Sequence, residues 1–267
     1  MTKLYLRAIT IIGLAVILAL SSAGETQAQP NEKAPHVGYF DEVDDAQMRN
    51  GPDPNYVPSA EEQLEIANKS ETAKQFVENL ETVTEGVLDY RIVIVGTWLE
   101  PNDSAHRNYC GPGATQVVLD ARLDASQIPH IDVIGAEEYI DPTWGVYTRF
   151  IRDVLNRRLG TTWYILDAAG NENYLRYYIK MDIINGYAMV TALRTGASSG
   201  QIMSGWGNRD VRHVIAIYGY NAPGATNTTI YYTETSGTAA GYYGSYRQSM
   251  PMEQLWQHVS RNNSQVW

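Results

Sequence analysis

The spacing of hydrophobic positions changes character partway along the chain. Up to about residue 184 apolar residues recur every three or four positions; from residue 188 they form short runs with strand-like content. Residues 59–86 predict a first helix. Ser59 with Glu62 three positions on makes a capping box, and Leu64, Ala67, Phe76, Val77, Leu80 and Val83 supply an apolar stripe that stops at Gly86. Tyr90 to Leu99 (YRIVIVGTWL) reads as a strand by its β-branched and aromatic content. Gly113 to Ala125 places Ala114, Val117, Val118, Ala121 and Ala125 on one helical face. Gly145 to Leu159, closed by Gly160, and Asn171 to Ile184 are further helices. Beyond them Ala188–Thr195, His213–Tyr220, Thr229–Glu234 and Tyr243–Ser249 predict strands between Gly-, Ser- and Asn-rich turns, and Met252–Val259 predicts a closing helix after Pro251. Helices first and antiparallel strands second describe an α+β domain over residues 87–267.

The segments before that domain differ in kind. Residues 1–28 read as a secretory signal peptide: Lys3 and Arg7 precede an uncharged apolar run from Ala8 to Leu20, with small residues offering cleavage after Ala23 or Ala28. The run is 13 residues long, whereas a spanning helix needs about 20. The expectation is export, with no stable membrane insertion once the signal is removed. Residues 29–58 are rich in Pro, Asn and Asp and read as an extended linker. The helix over 59–86 then serves either as an ordinary packed element or as a propeptide lying over a cleft.

Charge follows the same division. The chain carries −10 overall, of which residues 29–86 hold −9 and the remaining 181 residues after them only −2. No basic stripe exists, so nucleic acid is not an expected partner. The 19 Tyr and 6 Trp fit a β-rich secreted protein that handles peptide or carbohydrate.

Against that background the single cysteine stands out. Cys110, in Asn108-Tyr109-Cys110-Gly111-Pro112-Gly113, has no partner for an intrachain disulfide and stands at the predicted start of a helix. Helix N-termini favour a thiolate, which is the nucleophilic form of cysteine. Pro112 costs little in a first turn, and Gly111 lets substrate backbone come close. A base must take and return the proton. Of the five histidines, His36 lies in the linker, His106 and His130 in loops, and His258 in the last helix. His213 differs: it opens an apolar, centrally placed strand just after Gly205-Trp206-Gly207-Asn208, a good position to face a cleft.

Tyr-Cys-Gly-Pro-Gly-Ala opening a helix, followed by His-Val-Ile-Ala-Ile-Tyr-Gly-Tyr about 100 residues later, resembles the C39-like branch of papain-fold cysteine peptidases. The Tyr231-Tyr232-Thr233-Glu234 strand and the Met252-Glu253-Gln254-Leu255-Trp256 helix fit the same pattern, so the likeness covers roughly Asn102 to Val259. The resemblance implies a papain-like fold, with a helix bearing the nucleophile packed on an antiparallel sheet bearing the base. It assigns Cys110 as nucleophile, His213 as general base and acid, and Glu234 to the slot where the family has an Asp or Asn orienting the imidazole. It also implies an amide side chain, usually Gln, about six residues before the nucleophile to share the oxyanion with the cysteine's amide. Ser104 occupies that position here, and Asn102 and Asn108 are the nearest amides.

Three functions follow: a secreted thiol hydrolase acting on peptide or isopeptide bonds of a peptide or protein substrate, a weak or inactive peptide-binding module, or an acyltransferase or amidase using the same dyad. Four Asn-x-Ser/Thr sequons matter only in a eukaryotic secretory pathway. The acidic cluster Asp41, Glu42, Asp44, Asp45 lacks EF-hand spacing, and no His/Cys cluster has zinc spacing. Neither a metal nor a cofactor is implied.

Overall fold

The computed structural model of the protein describes residues 49–83, 89–197, 202–223 and 227–267. The signal peptide and most of the linker expected from the sequence lie outside the described residues. Among the described residues no helix is long and apolar enough to cross a membrane.

Among the described residues six α-helices and seven strands form a mixed α+β domain. The helices are α1 (Ala60–Val83), α2 (Cys110–Asp120), α3 (Ile131–Glu137), α4 (Thr148–Leu159), α5 (Glu172–Ile184) and α6 (Met252–Val259). The strands are β1 (Asp89–Ile92), β2 (Leu166–Asp167), β3 (Met189–Thr195), β4 (Val211–Ala222), β5 (Thr229–Thr233), β6 (Arg247–Pro251) and β7 (Ser264–Val266). They make one antiparallel sheet in the order β2-β7-β3-β4-β5-β6, with β1 also paired to β4. The long β4 shares one edge between two partners: β3 covers Val211 to Ile217 and β1 covers Gly219 to Ala222. On its other edge lies β5, with a register shift between Ile217 and Gly219.

Strand alternation divides the core between the two faces of the sheet. Val190, Ala192, Val214 and Ala216 face α2, α3 and α4 through Val117, Ile134, Ile151 and Leu155. Met189, Leu193, Ile215 and Ile217 face α1, α5 and α6 through Val77, Ile179 and Leu255. Helix α1 opens with the expected capping box, since the Glu62 amide donates to Ser59 Oγ at 3.2 Å and the Ser59 amide to Glu62 Oε2 at 2.9 Å. It is bound to the α5 side of the sheet, away from α2. There the Lys69 ammonium donates to the carbonyls of Trp163 and Trp267, and Glu81 Oε1 accepts from Lys180 Nζ at 2.9 Å.

Several sequence expectations shift at their edges. The strand expected over Tyr90–Leu99 is regular only to Ile92. Beyond Val93, whose amide still reaches the Tyr218 carbonyl at 2.8 Å, side chains replace a partner strand. Asp120 accepts from the Gly96 amide, Arg247 Nη2 donates to the Val95 carbonyl at 2.6 Å, and Tyr246 Oη accepts from the Trp98 amide at 3.1 Å. The helix expected from Gly113 starts three residues earlier, at Cys110, and the one expected from Gly145 starts at Thr148. Gly145 to Tyr147 instead make bridges to Asp141 and Gly51, so the end of the expected linker is tied to the domain.

Candidate active site

Cys110 is the first residue of α2. No side chain caps that helix, and Tyr109 before it holds φ −87° and ψ 17°. The first-turn amides therefore have no intrahelical acceptor and no competing cap. Two glycines let this turn pack unusually close. A Cβ on Gly111 would come within 2.2 Å of Val146 Cγ1, and one on Gly113 within 2.7 Å of Thr235 Oγ1. Gly111 is thus a packing residue against Val146, not the opening toward substrate backbone that its position suggested.

The sulfur of Cys110 lies beside the His213 imidazole and the backbone amide of Val214, near enough for both to pull on its proton. His213 Nε2 lies 2.8 and 2.9 Å from the two carboxylate oxygens of Glu234. With Nε2 held there, Nδ1 is the nitrogen left for the sulfur. Glu234 is fully buried and also accepts from Trp206 Nε1 at 3.0 Å and from the Ser236 amide at 3.2 Å. The Trp206 ring lies 4.9 Å from the imidazole. Cys110, His213 and Glu234, chosen from the sequence, therefore meet: Glu234 holds His213 by hydrogen bonds, and the Cys110 sulfur lies beside the imidazole.

Burial disfavours the His213 cation, but the Glu234 carboxylate that binds it and the neighbouring Cys110 outweigh this and raise the imidazole well above its ordinary value. Burial pushes the Cys110 thiol up and the charge of Glu100 adds to this, against the pull of His213 and the Val214 amide.

Two of the three oxyanion candidates are engaged by other groups. Asn102 Nδ2 donates to Thr238 Oγ1 at 2.9 Å and its Oδ1 accepts from the Ala239 amide at 2.7 Å. Both hydrogens of the Asn108 amide are taken by the carbonyls of Pro142 and Thr143, at 2.8 and 2.7 Å. Ser104 is exposed. Of the other histidines, His106 is clamped between Asp103 at 2.7 Å and Asp132 at 2.8 Å. His258 is buried, with Nδ1 3.0 Å from the Arg194 carbonyl.

The side chain that sequence reasoning missed is Glu100. It is 5 % exposed, and burial pushes its carboxyl up to about 7. It lies close enough to Cys110 and His213 for each to feel its charge. Its only sequence signal was an acidic residue closing an apolar run. Among the described residues no group of three or more His, Cys, Asp or Glu side chains is placed to hold a metal ion.

Neither a protein-family model nor a curated protein matches the chain. The chemistry of the site rests on its own geometry.

Proposed function

We propose that the protein is a thiol hydrolase of the papain-like, C39-like kind, exported by its N-terminal signal and acting on peptide or isopeptide bonds. The observation that carries this reading is Cys110 at a helix N-terminus, beside an imidazole that a buried carboxylate holds through Nε2. A papain-like arrangement is supported by the packing of α2 on the antiparallel sheet that supplies His213.

In this mechanism His213 Nδ1 takes the thiol proton and the sulfur attacks the substrate carbonyl, placing the negative charge on oxygen. The C–N bond then breaks, the amine leaves with the proton from His213, and a thioester remains on Cys110. Water gives its proton to His213 and attacks the thioester, the C–S bond breaks, and the thiol takes its proton back. Glu234 stabilises the imidazolium that forms twice in the cycle.

An alternative is a peptide-binding module, favoured by the near-closure of the site: Cys110 is 3 % and His213 1 % exposed. p-Nitrophenyl acetate separates the two readings. A hydrolase should release one p-nitrophenolate per chain in a burst that acetylates Cys110, and His213→Ala should slow acetylation about 100- to 10,000-fold. No acetylation, or equal rates in the two proteins, would sink the enzyme reading.

A further inference from the structure

A tetrahedral adduct on Cys110 needs a donor beside the cysteine amide; both hydrogens of the Asn108 amide are taken by carbonyls, and the Asn102 amide is turned onto Thr238 and Ala239. We propose that Glu100 fills this role, its Oε2 hydroxyl donating a hydrogen bond to the oxyanion formed on a carbonyl attacked by Cys110. This inference rests on the thiol-hydrolase reading and deepens it.

Placement comes first. The Glu100 amide donates to the Thr235 carbonyl at 2.9 Å. The Thr235 side chain lies against Gly113, one turn into α2. Glu100 is thereby pinned beside the first turn that carries Cys110. The two carboxyl oxygens are then sorted by their neighbours. Oε1 accepts from Thr235 Oγ1 at 3.0 Å and from Ser236 Oγ at 2.7 Å. Oε2 is buried and has no partner. A carboxyl whose one oxygen already accepts two hydroxyls carries its proton on the other. A buried O–H without an acceptor is costly, and a substrate oxygen would supply one.

Electrostatics agrees in sign. Burial raises Glu100 to about 7, against the pull of Ser236, His213 and Thr235 and with the help of Glu234, so the neutral acid persists to neutral pH. An ionised Glu100 would repel both the thiolate and the oxyanion, so the device works only while protonated. A carboxylic acid kept neutral by its surroundings to donate a hydrogen bond is an established strategy in other enzymes.

Two reagents isolate the effect. Acetylation of Cys110 by p-nitrophenyl acetate passes through an oxyanion, whereas alkylation by iodoacetamide displaces iodide at a saturated carbon and forms none. Their rate ratio therefore cancels changes in thiol ionisation. At pH 6 the ratio should fall about 100-fold in Glu100→Ala, as expected for loss of one oxyanion donor, and Glu100→Gln, which keeps a donor, should retain it. In the wild type the ratio should decline above a pH of about 7, while in Glu100→Gln it should stay level. Should the Ala variant fail to fold, the two pH profiles decide alone. Equal profiles, or a ratio in a folded Ala variant close to the wild type's, would overturn the assignment to Glu100. A wild type that alkylates but never acetylates would overturn the hydrolase reading, and the Glu100 assignment with it.

Discussion

Two carboxyls flank the first turn of α2, and by burial alone they are hard to tell apart. Glu100 is 5 % exposed and Glu138 fully buried; each has an Oε2 without a partner. Burial pushes Glu100 up to about 7 and Glu138 to about 8. Their company separates them. Glu138 accepts from the Thr115 hydroxyl and would lie 3.5 Å from a Cβ on Gly111, on the side of the turn walled by Val146 and Ile151. The charges that reach it are those of its own neighbourhood, Glu137 among them. Glu100 lies on the other side, among Cys110, His213 and Glu234. A displaced carboxyl marks burial; a displaced carboxyl beside a thiol and an imidazole is a candidate for chemistry.

The glycines facing each carboxyl test this contrast most severely. Gly113→Ala drives a methyl into Thr235, which donates to Glu100, and Gly111→Ala drives one into Val146 on the Glu138 side. Each overpacks the core and should cost about 1–3 kcal/mol in chemical denaturation. Only Gly113→Ala should also lower the ratio of acetylation to alkylation at Cys110, by about tenfold for a strained oxyanion donor. Equal ratios in the two variants would erase the distinction between the sides.

A smaller effect lies in stability against pH. Both carboxyls are raised above the ordinary 4.5, so each favours the fold as the neutral acid. That contribution is complete below pH 4.5 and is lost as pH rises through about 7 for Glu100 and about 8 for Glu138. The raised His213 adds a loss of the same sign, its contribution vanishing as pH climbs past its folded value. Tm should drop by roughly 5 °C or more between pH 5 and 8.5. Glu138→Gln should recover part of that drop without altering acetylation; an unchanged Tm profile would contradict the burial account. The mildest test is Trp206→Phe, which removes the indole donor to Glu234 at 3.0 Å. It should cost about 1–3 kcal/mol of stability and slow acetylation less than about tenfold, far less than His213→Ala. A loss as large as that of His213→Ala would move Trp206 into the reacting group.

Much of this site was legible in the chain because its members sit where local pattern is strongest. Cys110 precedes an apolar helical stripe, His213 heads an apolar strand, and Glu234 follows the five residues of β5. Glu100 was not legible, since the run before it reads as strand and its carboxyl finds Thr235 and Ser236 only through the fold, 135 and 136 positions away. The same cause hid β7, three residues long and defined wholly by pairing with β2 and β3. Helix α3 was missed because it has seven residues, too few to show a period, and begins on His130, whose ring accepts from the Asp132 amide. The boundary of β1 failed for a different reason: β-branched content continues to Val95, but the edge of β4 beside it is already taken by β3.

On the proposed function, the distance along the chain between Cys110, His213 and Glu234 decides when the thiol becomes reactive. His213 follows Cys110 by 103 positions and Glu234 by 124. Contacts of such range form only once most of the sheet has assembled, because loop closure across that distance must come first. A chain still emerging carries Cys110 as an ordinary thiol with neither base nor carboxylate beside it. Completion of the fold is thus the event that arms the nucleophile, and it arms and encloses it in the same step.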